Sequence, residues 1–372
     1  MGSTKTEAIV SLLEAAKGEF LSGQQIADLL GVSRTVIWNE MKKLEERGYE
    51  IESVTRKGYR LVDAPLILRE SELREVMREV FGSEAPALRY FETIDSTNLE
   101  AKRMLSAGIP PDRRMDEQPA PRQGEPHSER PGSQREDGAP ATLLYAQEQT
   151  GGRGRLGRSW SSRRGDGIYM SLLMPTKLPL EWVPMLTLQA GVCLCSALRT
   201  ATGLDVRVKW PNDILVEDRK LCGILTEMTF ESDRVQSVIL GFGINTGAEF
   251  EAGELEQTAT SLQLLGIKLS QKDLIRYILK ELMPWMEAVQ RGDASCIRYR
   301  ERTVEFLRKH SATLGRDIVV HRLHDAGEGI PAKALDINDS GELIVQCADG
   351  SRMTVRSGEV QIRKRSSHAT DL

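Results

Sequence analysis

Between residues 206 and 244, four apolar strand-like segments follow one another with only tight turns between them. They cover 206–209, 214–216, 221–227 and 235–244, and Glu217-Asp218-Arg219 reads as one of the turns. Parallel neighbours need a crossover of a dozen or more residues, which these turns do not supply. The run therefore predicts an antiparallel or mixed sheet, and with flanking helices an α+β fold. Segment 183–201 carries Leu186, Ala190, Leu194, Ala197 and Leu198 at helical spacing, followed by Gly203. That pattern predicts one long buried helix with a glycine stop. Further strands are expected over 88–93, 142–146 and 168–174, and helices over 68–81, from Asp95, and over 271–308. From 311 to 364 short β segments separated by Asn338-Asp-Ser-Gly and Asp349-Gly350 turns predict a small SH3-like β-barrel.

The first 62 residues have a different pattern. Ser22 and Gln25 stand in capping-box spacing before Ile26, Leu29 and Leu30, Gly31 supplies a turn, and Ser33 caps a second helix. That helix, 34–47, buries Ile37, Met41 and Leu44 and turns Arg34, Thr35, Trp38, Asn39 and Lys42 outward. Residues 51–61 form a hairpin that offers Arg56, Lys57 and Arg60. The whole reads as a winged helix-turn-helix over 1–64, with Ser33, Arg34, Thr35, Trp38, Asn39, Lys42, Arg56 and Lys57 as its DNA-binding residues. Nine Lys/Arg against ten Asp/Glu across residues 1–63 make the unit weakly charged, so phosphate contact is confined to a patch and is salt-sensitive. Glu40 is expected to set an acid on or beside that face. Protein contacts are the other use of such a fold.

Composition bounds the rest. A chain of 372 residues with net charge −4, 40% hydrophobic and 28% charged, has room for several cores and is no polyanion trap. The contiguous apolar runs are too short to span a bilayer, and the N-terminus reads as an amphipathic helix instead of a leader. Cys193, Cys195, Cys222, Cys296 and Cys347 are scattered, which fits buried free thiols in a reducing compartment and hence a cytoplasmic protein. Segment 109–140 holds seven prolines and twelve charged residues, and is expected to be a disordered insert. It interrupts a central domain placed at 65–310; a third domain is placed at 311–372.

Two segments carry chemistry. Gln149-Thr-Gly-Gly-Arg-Gly-Arg-Leu-Gly-Arg-Ser contains a G-x-G-x-x-G pattern and nearly a P-loop, but it leads into loop and strand, not into the helix both motifs require. It is read as a glycine-rich loop whose Arg153, Arg155 and Arg158 offer forked donors to carboxylate and phosphate. In Lys209-Trp-Pro-Asn-Asp, Pro211 ends a strand and presents Asn212 and Asp213, whose oxygens suit Mg²⁺ and make these two the candidate metal ligands. Lys209 and Lys220 add charge for a phosphoryl transition state. Gly241-Phe-Gly-Ile-Asn245 alone reads as a strand packed closely on another backbone.

Together these segments resemble the biotin–protein ligase family, and with residues 1–62 the chain resembles the bifunctional biotin ligase/biotin-operon repressors of bacteria. The resemblance implies biotin and ATP as substrates, Mg²⁺ as cofactor, and biotinyl-5'-AMP as intermediate. It places Ser96, Thr97, Asn98, Gln149, Arg153, Gly154, Arg155 and Lys220 around biotin. Lys209, Asn212, Asn245 and Trp160 fall with ATP phosphates or nucleotide, and 246–261 with a loop that orders over adenylate. Arg153, Arg155, Lys209 and Lys220 are the implied catalytic set. Implied partners are a biotin carboxyl carrier domain of the acetyl-CoA or pyruvate carboxylase type, operator DNA, and a second copy when biotinyl-AMP is bound; no membrane is implied. A lipoate ligase of similar fold and a biotin-sensing transcription factor without ligase activity stay as alternatives. The loop arginines and the Lys209–Asp213 element favour biotin ligation.

Overall fold

Ser22 begins the first compact fold by accepting from the Gln25 backbone N–H, while the Gln25 side chain accepts from the Ser22 N–H at 2.8 Å. This reciprocal cap satisfies two of the free donors at a helix start. A computed structural model describes residues 5–46, 49–63, 67–107, 140–231, 234–250, 253–292, 295–321, 329–356 and 359–362. The chain divides into two compact units, Met1–Glu75 and Val76–Leu372. In the first, α1 (Lys5–Ala15), α2 (Gly23–Leu30) and α3 (Arg34–Glu46) precede the antiparallel hairpin β1 (Glu50–Val54) and β2 (Gly58–Asp63). Gly31 takes the left-handed conformation at φ 65°, as the turn between the two helices requires. Ile9, Leu13, Ile26, Ile37, Met41 and Leu44 form the core.

The division between the units falls within α4 (Glu70–Phe81). The second unit continues with β3 (Ala87–Ile94), α5 (Thr97–Ser106), β4 (Thr142–Gln149), β5 (Gly167–Pro175) and α6 (Val183–Thr202). Then come β6 (Arg207–Lys209), β7 (Asp213–Val216), β8 (Arg219–Glu231), β9 (Arg234–Asn245), α7 (Glu254–Thr258), α8 (Gln271–Arg291) and α9 (Ser295–His310). The seven strands form one sheet in the order β3-β4-β5-β9-β8-β7-β6. All neighbours are antiparallel except β3 and β4, which are parallel. The β7–β8 turn uses Glu217 and Asp218 at positive φ, as a two-residue hairpin requires.

On one face α5 packs Ala101 and Met104 against Leu144, Leu173 and Ile239. On the other, α6 packs over Ile224 and Val208 through Gly191, and the buried Trp285 indole of α8 donates to Gln189 Oε1 at 3.1 Å. Leu180–Thr202 is long and apolar enough by composition to cross a bilayer, but most of α6 is buried between the sheet and α8. Its interrupted apolar run is that of a core helix.

Strands β10 (Asp317–His321), β11 (Ile330–Ile337), β12 (Leu343–Cys347), β13 (Arg352–Val355) and β14 (Glu359–Ile362) form an antiparallel sheet in the order β13-β12-β11-β10-β14. This sheet is tied to the end of β6. Ala312 N–H donates to Val208 O at 2.8 Å, and Trp210 donates from its backbone to Thr313 Oγ1 and from its indole to Gly341 O, both at 3.0 Å. The C-terminal strands thus hold the 209–213 corner in place. The expected insert over 109–140 lies, but for Pro140, outside the described residues.

Candidate active site and nucleic-acid interface

The site begins where α5 starts. Extended backbone at Ser96 turns the chain into the helix, and Ser96 N–H donates to Asp95 Oδ1 at 2.7 Å. Thr97 N–H donates to Gln149 Oε1 at 2.9 Å, with Thr97 Oγ1 3.2 Å from the same oxygen, while Gln149 Nε2 donates to Ser162 Oγ at 2.9 Å. Asn98 Nδ2 donates to Glu227 Oε2 at 3.0 Å and reaches Leu225 O at 3.4 Å. All three of Ser96, Thr97 and Asn98 are buried. Their polar groups are therefore held by specific partners, as burial demands.

Opposite them lies a face of glycines. A Cβ on Gly241 would sit 2.0 Å from Asn98 Oδ1, one on Gly243 2.4 Å from Trp160 Nε1, and one on Gly223 2.8 Å from Trp160 Cζ3. Gly223 and Gly243 are register partners on β8 and β9, so the indole lies across two strands where no side chain stands. The sequence reading of Gly241-Phe-Gly as a strand against another backbone is corrected: these glycines make room for the Asn98 amide and the Trp160 ring. Lys220 Nζ lies 5.1 Å from that ring.

The glycine–arginine loop is a narrow excursion between β4 and β5. Trp160 N–H donates to Gly152 O, Gly154 N–H to Arg158 O at 2.7 Å, and Gln149 N–H to Ser162 O. At its tip Leu156 has φ 56° and is exposed, flanked by Arg155 and Gly157. Arg155 Nη1 donates to Asn212 Oδ1 at 3.0 Å and Asn212 Nδ2 to Ile224 O at 3.0 Å, so the tip is bonded to the 209–213 corner.

One cleft, open to solvent, is bordered by Ser96, Thr97, Asn98, Gln149, Arg153, Gly154, Arg155, Trp160, Asn212 and Lys220. Met170, Gly223 to Leu225 and Gly241 to Gly243 complete the wall. Three expected residues do not border it. Asp213 holds Lys220 at 2.7 Å and Lys209 at 3.7 Å, with Lys209 behind. Asn245 is buried, and its Nδ2 donates to Thr260 O at 3.0 Å and reaches Lys220 O at 3.4 Å. Its side chain fastens the segment after α7 to the start of β8.

These contacts also decide how the residues suit Mg²⁺. The Asp213 carboxylate is shared between two ammonium groups, the Asn212 amide is engaged at both ends, and no cluster of three His, Cys, Asp or Glu occurs among the described residues. Such a set does not fit a resident cation; a Mg²⁺ arriving with a nucleotide would take its ligands mainly from phosphate and water. The cleft also lacks an activated nucleophile among its described residues. Cys222 and Tyr169 lie outside its wall, and burial pushes the Cys222 thiol well above its usual range and does the same to the Tyr169 phenol, which donates to Arg163 O at 2.9 Å.

In the first unit Arg34, Thr35, Trp38, Asn39 and Lys42 are exposed on α3, and the Lys42 ammonium lies 3.9 Å from the centre of the Trp38 ring. Ser33 Oγ accepts from Val36 N–H at 3.4 Å. Arg56 and Lys57 are exposed at the wing tip. Arg60 is not part of that tip: it pairs with Glu52 across the hairpin and stacks 4.8 Å from the Phe20 ring. Glu40 is likewise placed differently from the expectation. It is buried, accepts from the Thr6 hydroxyl, and pairs with Lys43 at 2.6 Å. Positions 37, 40, 41 and 44 share one helical face, so Glu40 belongs to the inward stripe and brings no acid to the outer face.

Three family models match in chain order: an HTH domain over residues 5–60, the biotin/lipoate A/B protein ligase family over 136–245, and the biotin protein ligase C-terminal domain over 313–363. The bifunctional ligase/repressor BirA of Bacillus spizizenii is 34% identical over 367 residues, covering 97% of this chain and all of that protein. This chain belongs to the BirA family of bifunctional ligase/repressors. The Escherichia coli member is 29% identical over 81% of this chain and 83% of its own length. The biotin protein ligase of Aquifex aeolicus, solved with biotin and ATP, superposes with a TM-score of 0.52 at 23% identity. It covers 75% of this chain and 99% of its own, which is a likeness of fold.

Proposed function

We propose that this chain is an ATP-dependent biotin–protein ligase that also represses transcription in response to biotin. The observation that carries the reading is that one cleft is bordered both by the donors and acceptors of Thr97, Asn98 and Gln149 and by the cations of Arg153, Arg155 and Lys220. A bicyclic ureido compound with a carboxylate tail has this polarity. Biotin is assigned to the cleft with its ring toward Ser96–Asn98 and Gln149, and its carboxylate toward Arg153 and Lys220.

The reaction has two steps. The carboxylate attacks the α-phosphorus of ATP, forming the acyl–phosphate bond and releasing pyrophosphate. A carrier lysine amine then attacks the carbonyl carbon, forming the amide and releasing AMP. The cations bring two anions together and offset charge at the phosphoryl oxygens, so positioning and electrostatics account for the acceleration. Arg155 is assigned to retention of the adenylate, Trp160 to one face of the nucleotide, and Asp213 to holding Lys209 and Lys220 in place. Asn245 acts at one remove, by fixing the segment that follows α7. Biotin-dependent exchange of pyrophosphate into ATP tests the first step, and its absence in the wild-type protein would overturn the assignment.

For the regulatory half, the outer face of α3 and the wing tip are assigned to operator DNA, with Arg34, Thr35, Trp38, Asn39 and Lys42 toward the groove and Arg56 and Lys57 toward phosphates. One weakly charged unit binds poorly alone, whereas two tethered units match two half-sites. We therefore assign the DNA-binding form to a homodimer stabilised by biotinyl-AMP. The free, scattered thiols of Cys193, Cys195, Cys222 and Cys347 suit a reducing cytoplasm. Sedimentation with and without biotin plus ATP, followed by binding to the DNA upstream of biotin genes, tests this half.

A further inference from the structure

Behind the cleft lies a polar chain that none of the motifs contains. Ser171 is fully buried on β5, with its Oγ 2.6 Å from Asn98 Oδ1 and 2.7 Å from Thr97 Oγ1. Glu227, on β8, takes Asn98 Nδ2 at 3.0 Å on one oxygen and the Lys102 ammonium at 2.7 Å on the other. The same Asn98 nitrogen faces a second acceptor, Leu225 O at 3.4 Å. With two acceptors on that side, the amide is fixed with nitrogen toward Glu227 and oxygen toward Ser171.

That orientation sets the protons further along. Asn98 Oδ1 can only accept, and a hydroxyl has one proton to give, so the Ser171 proton is committed to Asn98. The 2.7 Å contact between the two hydroxyls is then made by the Thr97 proton, in preference to the longer 3.2 Å approach of Thr97 Oγ1 to Gln149 Oε1, which keeps the Thr97 N–H as its donor. Thr97 Oγ1, which borders the cleft, is left with lone pairs for whatever lies there. We infer that Glu227, held by Lys102, is a positioning residue that acts through Asn98 and Ser171 to make Thr97 an acceptor, so that the cleft selects ligands presenting an N–H at that point. This rests on the assignment of biotin above and adds the reason one ureido N–H is read. Lys102 acts by holding the Glu227 carboxylate in place, and Gly241 by leaving space for the Asn98 amide.

The test is Glu227→Gln in the full-length protein, with Ser171→Ala as a second variant. Glutamine can turn its amide and donate to Asn98, which removes the fixed direction while keeping shape. We expect the KM for biotin to rise about tenfold, the worth of one well-placed hydrogen bond, with kcat and the KM for ATP within about twofold of wild type. The distinguishing readout is a biotin analogue with ring oxygen in place of the ureido N–H. Wild type should reject it by more than about tenfold, and both variants should narrow that gap several-fold. An unchanged gap, or equal rises in the KM for biotin and ATP, overturns the inference while leaving biotin in the cleft. If wild type binds no biotin by calorimetry, the assignment and the inference fail together. Circular dichroism and melting of each variant separate a folding loss from a lost selection; a folded Ser171→Ala protein with wild-type selection also refutes it.

Discussion

Replacing Glu40 separates two accounts of the DNA-facing helix. Its side chain is 11% exposed, while that of its partner Lys43 is 55% exposed, so the ion pair itself is partly in water and contributes little. Thr6 matters more: it is 8% exposed and donates its hydroxyl to Glu40. Glu40→Ala leaves that hydroxyl without this partner inside the core of the first unit, at a cost of about 1–3 kcal/mol. In hydrogen exchange of the full-length protein, amides of α1 and α3 that open with this core should lose about 5- to 150-fold of their protection. Amides of the seven-stranded sheet should not change. DNA affinity should fall only as far as the unit unfolds, and the slope of log K against log salt should stay at its wild-type value. An acid facing phosphate predicts the reverse: Glu40→Ala would tighten binding and alter that slope. Unchanged exchange in α1 and α3 together with tighter binding would refute the buried placement.

The same contacts give four other expected outcomes. Arg155→Gly removes the donor to Asn212 from the loop tip; the release rate of biotinyl-AMP, measured by stopped-flow or filter binding, should rise by about tenfold or more. Gly243→Ala places a methyl 2.4 Å from the Trp160 indole nitrogen, so ATP binding should weaken or the melting temperature fall, by an amount matching about 1–3 kcal/mol of overpacking. At pH 8 a thiol-alkylating reagent should label Cys347 well before Cys193 and Cys195, since burial raises those two thiols to about 12 and keeps them protonated; equal labelling would contradict the packing around α6. Shortening the segment 111–139 should leave ligation rate and melting temperature nearly unchanged, because its composition offers almost no large apolar side chain.

The sequence is legible where a local rule and the tertiary contacts demand the same thing. Ser22 and Gln25 form the expected capping box, Gly203 ends α6 in a left-handed turn, and Glu217 and Asp218 make the expected hairpin. The cleft is legible through segments of unusual composition, such as 149–158, which sets three arginines among four glycines. Features set by partners distant in sequence escape such a reading. Glu227 meets Asn98 across 129 positions, and a lone glutamate in a strand carries no motif. Ser171 is a single small residue within the apolar run 168–174 and reads as an ordinary strand residue until its two partners are in view. Gly241 and Gly243 do not bend the chain; they leave space for side chains from α5 and the loop, which no local pattern shows. Asp213 resembles a cation ligand in sequence because Lys220, which holds its carboxylate at 2.7 Å, lies beyond the β7–β8 turn. Glu40 misleads for a simpler reason: its charge suggests the outer face, while its position lies on the Ile37–Met41–Leu44 stripe.

The central claim is transfer of biotin to protein, and intact-mass spectrometry of a biotin carrier domain tests it most directly. Incubated with this protein, biotin and MgATP, the carrier should gain the mass of one biotin amide on a single lysine. Omitting biotin or ATP should abolish the gain, and Lys220→Ala should slow it by at least about a hundredfold. A carrier that stays unmodified with every component present, across carriers of both the acetyl-CoA and pyruvate carboxylase types, would contradict the account.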